Sequence, residues 1–172
     1  MPATILWSQA VLRLTPARWT ALAKGLPDEL LRRSPLPGEW SALECLKHLL
    51  DTEQFVFPVR VRCFLEGRDF SAFNPDAAGR KPDRIPAALE MAQTFTALRQ
   101  ESLLLLAGVK EKDLVRTARH EELGTVTLGQ MLHEWAGHDL MHTVQAERAM
   151  MQPFIQGSGP WLPYFSDHVA SK

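Results

Sequence analysis

The stretch His133-Glu134-Trp135-Ala136-Gly137-His138-Asp139-Leu140-Met141-His142 holds three of the chain's six histidines. His138 and His142 stand four residues apart. On an α-helix that is one turn, with about 5–6 Å between Cβ atoms, so two imidazole nitrogens can reach one point. Their neighbours decide which way they face. Leu128, Met131, Leu132, Trp135, His138, Ala149 and Met150 recur at steps of three and four, the mark of a helix with one apolar stripe. Both histidines interrupt that stripe, so both are expected to point inward. Up to four buried ring nitrogens then need partners. A metal ion would answer much of that need; an Asp or Glu partner would answer it too. His133, five residues before His138, is rotated roughly 140° from it and is expected to face solvent.

A third ligand has to come from another segment. Ala42, Cys45, Leu49, Thr52, Val56, Val59 and Cys63 trace the inward face of a second helix, and His48 lies on the same side. His120 falls in a candidate hairpin and His168 in the tail. The candidate metal ligands are therefore His48, His138 and His142, with no obvious fourth from the protein. Zinc held by three protein ligands keeps an open position whose water is acidified toward neutral pH. A structural zinc site would instead take four protein ligands, commonly thiolates. Zinc or nickel come first as the divalent ion, with iron or manganese as alternatives, because ligand type does not separate them. Glu44 and Asp51 lie about one turn to either side of His48. Each could orient an imidazole or take a proton, and each could equally be part of a solvated helix face. Gln145, beyond His142, is a hydrogen-bonding group for the bundle interior.

Long helices must hold these side chains, and four stretches carry the helical period. The first runs from about Leu6 to Lys24, with Thr15-Pro16 expected to kink or restart it. Asp28 to Arg33 adds a short turn, and Pro35-Leu36-Pro37-Gly38 is a stiff connector. The second starts at N-cap Ser41, with Glu44 completing a capping box, and runs to about Glu66, where Gly67 stops it and Pro58 bends it. Asp69 to Arg84 reads as a long surface loop. The third runs from about Pro86 to Ala107, with Leu89, Ala92, Phe95 and Leu98 at helical spacing. Leu114 to Thr127 alternates as a small hairpin would, turning at Glu121 to Gly124. The fourth runs from N-cap Thr127 to about Met151, stopped ahead of Pro153. From residue 155 the tail is expected to be irregular, its Trp161, Leu162, Tyr164 and Phe165 packed on the bundle. The fold expected is all-α: one four-helix bundle domain over residues 1–172.

Composition excludes several function classes. The 172 residues are 45% apolar and 23% charged, with a net charge of -1. That balance gives no electrostatic case for nucleic acid or an anionic membrane. The longest apolar run is Leu103 to Ala107, far below the roughly 20 residues a membrane span needs. Cys45 and Cys63, 18 residues apart, would be separated by roughly 27 Å on one helix and cannot pair. They read as core thiols. With no secretory signal in view, the expected compartment is the cytoplasm.

Pro37-Gly38-Glu39-Trp40-Ser41, His48 with Asp51 and Glu53, Leu123-Gly124-Thr125-Val126-Thr127-Leu128, and His138-Asp139-Leu140-Met141-His142 with Gln145 together resemble the DinB-like family. That family includes DNA-damage-inducible proteins and metal-dependent thiol transferases. The resemblance covers Pro37 to Gln145. It implies a four-helix bundle in up-down-down-up order, with the loop after the second helix as the crossover. It also implies a divalent metal on His48, His138 and His142, and a homodimer. The activity it implies is a thiol S-transferase acting on a low-molecular-weight thiol and a small electrophile. A metal-dependent hydrolase and a non-catalytic metal-binding stress or interaction protein are the alternatives.

Overall fold

The computed structural model describes residues 2–71 and 86–170. Helix α1 spans Pro2–Gly25 as one helix with Pro16 inside it, so the chain does not restart there. Thr15 does not cap anything; its hydroxyl donates to the Val11 carbonyl at 3.0 Å. Pro16 has no N–H to give the carbonyl four residues back, that of Leu12. Arg99 Nη1 donates to that oxygen instead, at 2.8 Å. A short helix α2 follows at Asp28–Arg32.

The expected second helix is two, α3 (Ala42–Phe55) and α4 (Phe57–Glu66), broken at Val56 (φ -117°, ψ -75°). Pro58 cannot donate to the carbonyl of residue 54, so the ladder opens just ahead of it. The break shifts the phase of the inward face. Val59, expected inside, is 44% exposed, while Phe57, Pro58, Val61 and Phe64 are buried. Gly67, in the left-handed conformation (φ 68°), ends α4. The expected loop over Asp69 to Arg84 lies, from residue 72, outside the described residues.

Helix α5 spans Ala88–Ala107 and buries Met91, Ala92, Phe95, Arg99, Ser102 and Leu106. Leu89 and Leu98, expected inside, are only half-buried. A hairpin joins α5 to the last helix: β1 (Thr117–His120) pairs antiparallel with β2 (Gly124–Thr127), His120 opposite Gly124. Helix α6 spans Leu128–Gly157, capped by Thr127 and Gln130 in a reciprocal pair of hydrogen bonds. It does not stop before Pro153. Proline deletes one backbone bond, and the helix continues because Ile155 is buried at 2% exposure. The tail is also more regular than expected. Gly159–His168 is a 3-10 helix, fastened where Gln152 donates to His168 O and accepts from Ala170 N–H. Its Trp161 and Tyr164 are exposed rather than packed down.

The long elements form an up-down-down-up four-helix bundle. Helices α1 and α3 occupy opposite corners, and each packs on both α5 and α6. Among the described residues the core has two apolar clusters. Trp19, Leu43, Leu46, Met91, Phe95 and Ala146 belong to one; Leu12, Phe57, Phe64, Leu128, Leu132 and Trp135 belong to the other. Each fully buried large apolar side chain contributes about 1.5–3 kcal/mol. Arg99 bridges the two clusters, its guanidinium carbon 4.8 Å from the Phe95 ring centre and 5.4 Å from that of Trp135.

Candidate metal centre

The first turn of α3 is fixed by its cap. Ser41 Oγ accepts from the Glu44 N–H at 3.3 Å, and Glu44 Oε2 accepts from the Ser41 N–H at 2.8 Å. One turn on, His48 faces α6, where its Nε2 lies 3.0 Å from His138 Nε2. His142, one turn further along α6, joins them: each of the three imidazoles offers a nitrogen, and all three nitrogens lie within 4.8 Å of one another. Ligands on tetrahedral arms of about 2.0–2.1 Å would lie roughly 3.3–3.4 Å apart. The His48–His138 approach of 3.0 Å is slightly shorter than that, and the set as a whole lies within 4.8 Å.

The hydrogen bonds set which nitrogens are available. His142 Nδ1 donates to Gln145 Oε1 at 2.8 Å, so its proton sits on Nδ1 and its Nε2 carries a free lone pair. Gln145 is thus the orienting group, not Glu44 or Asp51. Glu44 is spent on the Ser41 cap, and Asp51 pairs with Lys47 at 2.5 Å. His138 Nδ1 is buried with no hydrogen-bond partner among the described residues. Two aromatic rings wall the cluster. Trp40 stacks on His142 (5.6 Å, 19°) and tilts over His48 (5.0 Å); Phe57 meets His138 edge-on at 5.0 Å and stacks on Trp135. A cavity of about 350 Å³ lined by Gly38, Trp40, Gln145 and Arg148 opens beside the cluster.

The other histidines stand apart. His133 is exposed, as expected, with Nε2 3.1 Å from Thr4 Oγ1. His120 lies in the hairpin, and the backbone of His168 belongs to the tail. Neither cysteine joins the cluster; both are buried free thiols, and burial pushes Cys45 up to about 12.

Spacing alone does not single out the buried charges beneath the histidines. Arg99 donates from Nε to Glu53 Oε2 at 2.9 Å and from Nη1 and Nη2 to Asp139 at 2.7 and 3.1 Å, with all three side chains about 1% exposed or less. Burial works against the guanidinium charge, but Asp139 and then Glu53 outweigh it, so its pKa is raised. Asp139 directly follows His138, so this fork ties the histidine-bearing turn of α6 to α5 and α3. The available signals were weak: Arg99 one turn beyond Phe95, and Trp40 immediately before the Ser41 cap.

Burial and the mutual repulsion of their charged forms favour neutral imidazoles. His48 is lowered to about 4 by burial and then His142; His138 is lowered to about 3 by burial, then His142 and His48; His142 is lowered by burial. Neutral imidazole is the metal-binding form. The same shifts set a pH dependence for the metal-free protein. Unfolded imidazoles titrate near 6.5, so between there and about 4 the unfolded chain holds protons that the native site refuses. Stability is therefore fully present above about 6.5 and falls as the pH drops toward 4. The slope is at most about 1.4 kcal/mol per pH unit per histidine, reduced by solvent screening of half-buried rings. Urea midpoints measured from pH 7.5 to 4 on metal-stripped protein test this. An equal slope in a His48→Asn, His138→Asn double variant would contradict it.

The family model of the DinB superfamily matches residues 12–146. The chain belongs to the DinB superfamily. The matched span includes His48, His138 and His142 and the helices that carry them. Among solved structures, YfiT from Bacillus subtilis, described as a probable metal-dependent hydrolase with an unusual four-helix bundle topology, is similar in fold. Its TM-score is 0.75 at 18% identity, covering 87% of each chain. No curated protein matches. Membership of the DinB superfamily and this likeness agree on the bundle. Among the described residues no helix is long and apolar enough to cross a membrane.

Proposed function

We propose that this DinB protein is a divalent-metal-dependent enzyme whose ion is held by His48, His138 and His142, with zinc or nickel the first candidates. Its proposed reaction is transfer of a low-molecular-weight thiol to a small electrophile. The observation that carries the reading is the approach of three ring nitrogens to within 4.8 Å, with no thiolate or carboxylate completing the set among the described residues. A three-nitrogen donor set leaves room for an exogenous ligand. A divalent ion there supplies Lewis acidity that makes a thiol or water nucleophilic near neutral pH.

The chain's own residues have separable tasks. Gln145 holds the His142 ring in the tautomer that frees Nε2. Trp40 and Phe57 shield the imidazoles from bulk water on two sides. The Arg99 fork holds α6 against α3 and α5 so that His48 and His138 meet. Zinc- or nickel-loaded protein, a panel of small thiols and a chromogenic aryl halide form the test. Turnover that requires both metal and thiol, and falls to background in His142→Ala, is expected. Equal rates in wild type and His142→Ala across the panel would overturn the proposal.

A second reading, metal-dependent hydrolysis, draws support from the description of the similar Bacillus subtilis protein. Thiol-independent cleavage of a chromogenic ester, lost in the same variant, would favour it over S-transfer.

A further inference from the structure

We propose that a second cavity, one helical turn along α6 from His138, binds the α-amino-carboxylate end of a small ligand. It rests on the metal reading only for which group would react; the binding itself is independent of it. The cavity, about 450 Å³, is lined from α4, α6 and the hairpin, and it shares α6 with the histidine cluster. On α4, Phe57 touches His138, and Arg60 of the cavity follows Phe57 by three residues. On α6, Glu134 of the cavity precedes His138 by four residues, a rise of about 6 Å.

The cavity contains an unmatched donor pair. His120, 7% exposed, ends β1, and its Nδ1 accepts from the backbone N–H groups of Glu122 and Leu123 at 3.2 and 3.3 Å. An Nδ1 that accepts twice carries no proton, so the imidazole proton is on Nε2. That Nε2 lies 3.4 Å from Arg60 Nη2, which can only donate. Among the described residues, two donors therefore converge with no acceptor between them. Both are held in place. The Arg60 guanidinium lies 5.1 Å from the Phe70 ring centre, and Phe70 meets the His120 ring edge-on at 5.6 Å. The Phe70 N–H is in turn bonded to the Arg119 carbonyl at 3.2 Å. A carboxylate is the group that accepts from both donors at once.

Charge decides what else the ligand carries. Glu122 and Glu134 line the same cavity, and neither forms an ion pair with Arg60. A bare carboxylate would add a third negative charge against one guanidinium. A zwitterion brings its own ammonium to the two glutamates while its carboxylate sits on Arg60 and His120. Leu123, Val126 and Met131 offer an apolar wall for a short carbon chain.

Three probes with one tail separate these contributions: L-norleucine, hexanoate without the ammonium, and pentylamine without the carboxylate. Calorimetric titration of metal-loaded and metal-stripped protein should show norleucine binding at least about 10-fold more tightly than either fragment. Arg60→Met should weaken norleucine at least about 10-fold, Arg60→Lys should recover part of the loss, and Glu134→Gln should weaken it less. Metal content should be unchanged in all three variants, and stripping the metal should leave the norleucine affinity within about twofold. Should Arg60→Met fail to fold, Arg60→Lys and Glu134→Gln carry the same comparison. The proposal is overturned if hexanoate or pentylamine matches norleucine. It is also overturned if the Arg60 and Glu134 variants bind norleucine as the wild type does, or if none of the three probes binds at millimolar concentration. Loss of norleucine binding on metal removal alone would point to chelation at the histidines instead.

Discussion

His138→Ala is expected to remove stoichiometric divalent metal and with it all metal-dependent turnover. His138 touches both other members of the group: its Nε2 meets that of His48 at 3.0 Å, and its ring lies 4.5 Å from that of His142. Removing it leaves two imidazoles from different helices, a donor set that holds zinc poorly. Gln145→Ala makes an instructive contrast. It removes no ligand, only the acceptor that fixes the His142 tautomer. Loss of such an outer partner typically costs about 10–100-fold in metal affinity. Elemental analysis of untagged protein, followed by competition against a chelator, should rank the proteins wild type, Gln145→Ala, His138→Ala. Full metal occupancy in His138→Ala would refute the assignment of ligands.

Arg99→Met is expected to be the most destabilising single substitution in the bundle. The guanidinium serves three oxygen-bearing partners on three other helices: Leu12 O in α1, Glu53 in α3 and Asp139 in α6. Methionine fills similar volume but leaves two carboxylates and a carbonyl buried without their donor. Breaking a buried ion pair by removing one partner costs about 3–5 kcal/mol. For a chain of this length that lowers the melting temperature by roughly 6–20 °C. Arg99→Lys should fall between the two, because it keeps the charge and loses the two-pronged geometry. Calorimetry of the three proteins at pH 7, all metal-loaded, makes the comparison. Wild-type stability in Arg99→Met would show that the network contributes nothing net. Adding Glu53→Gln and Asp139→Asn to Arg99→Met should then recover part of the loss, since the orphaned charges are removed.

Local signals carried much of the fold. The stripe through Leu128, Met131 and Trp135 located both α6 histidines, and Ser41 with Glu44 marked the start of α3 as the structure has it. The alternation after Leu114 located the hairpin. These are effects of residues a few positions apart. The misses depend on distance. Arg99 looks like a surface charge within its own helix because its partners lie 46, 87 and 40 residues away. Leu98, beside it, looked like the better core residue and is only half-buried. Pro16 reads as a restart and Pro153 as a stop because the pattern does not show what is gained elsewhere by continuing the helix. A continuous helix through Val56 would put Val59 inside, and the break there turns it outward. The orienting role of Gln145 rather than Asp51 turned on rotamers: Lys47 had already engaged Asp51 on the outer side of α3.

The missing amide at Pro16 has a practical implication for anyone seeking a hardier variant. Replacing helix-interior prolines with alanine is an ordinary thermostabilising tactic, justified by local helicity. At this site alanine would reinstate an N–H that competes for the oxygen now anchoring the guanidinium. Smoothing the first helix would thus loosen the fastening that joins all four corners. Improvement by local helix propensity alone would trade away interior cohesion.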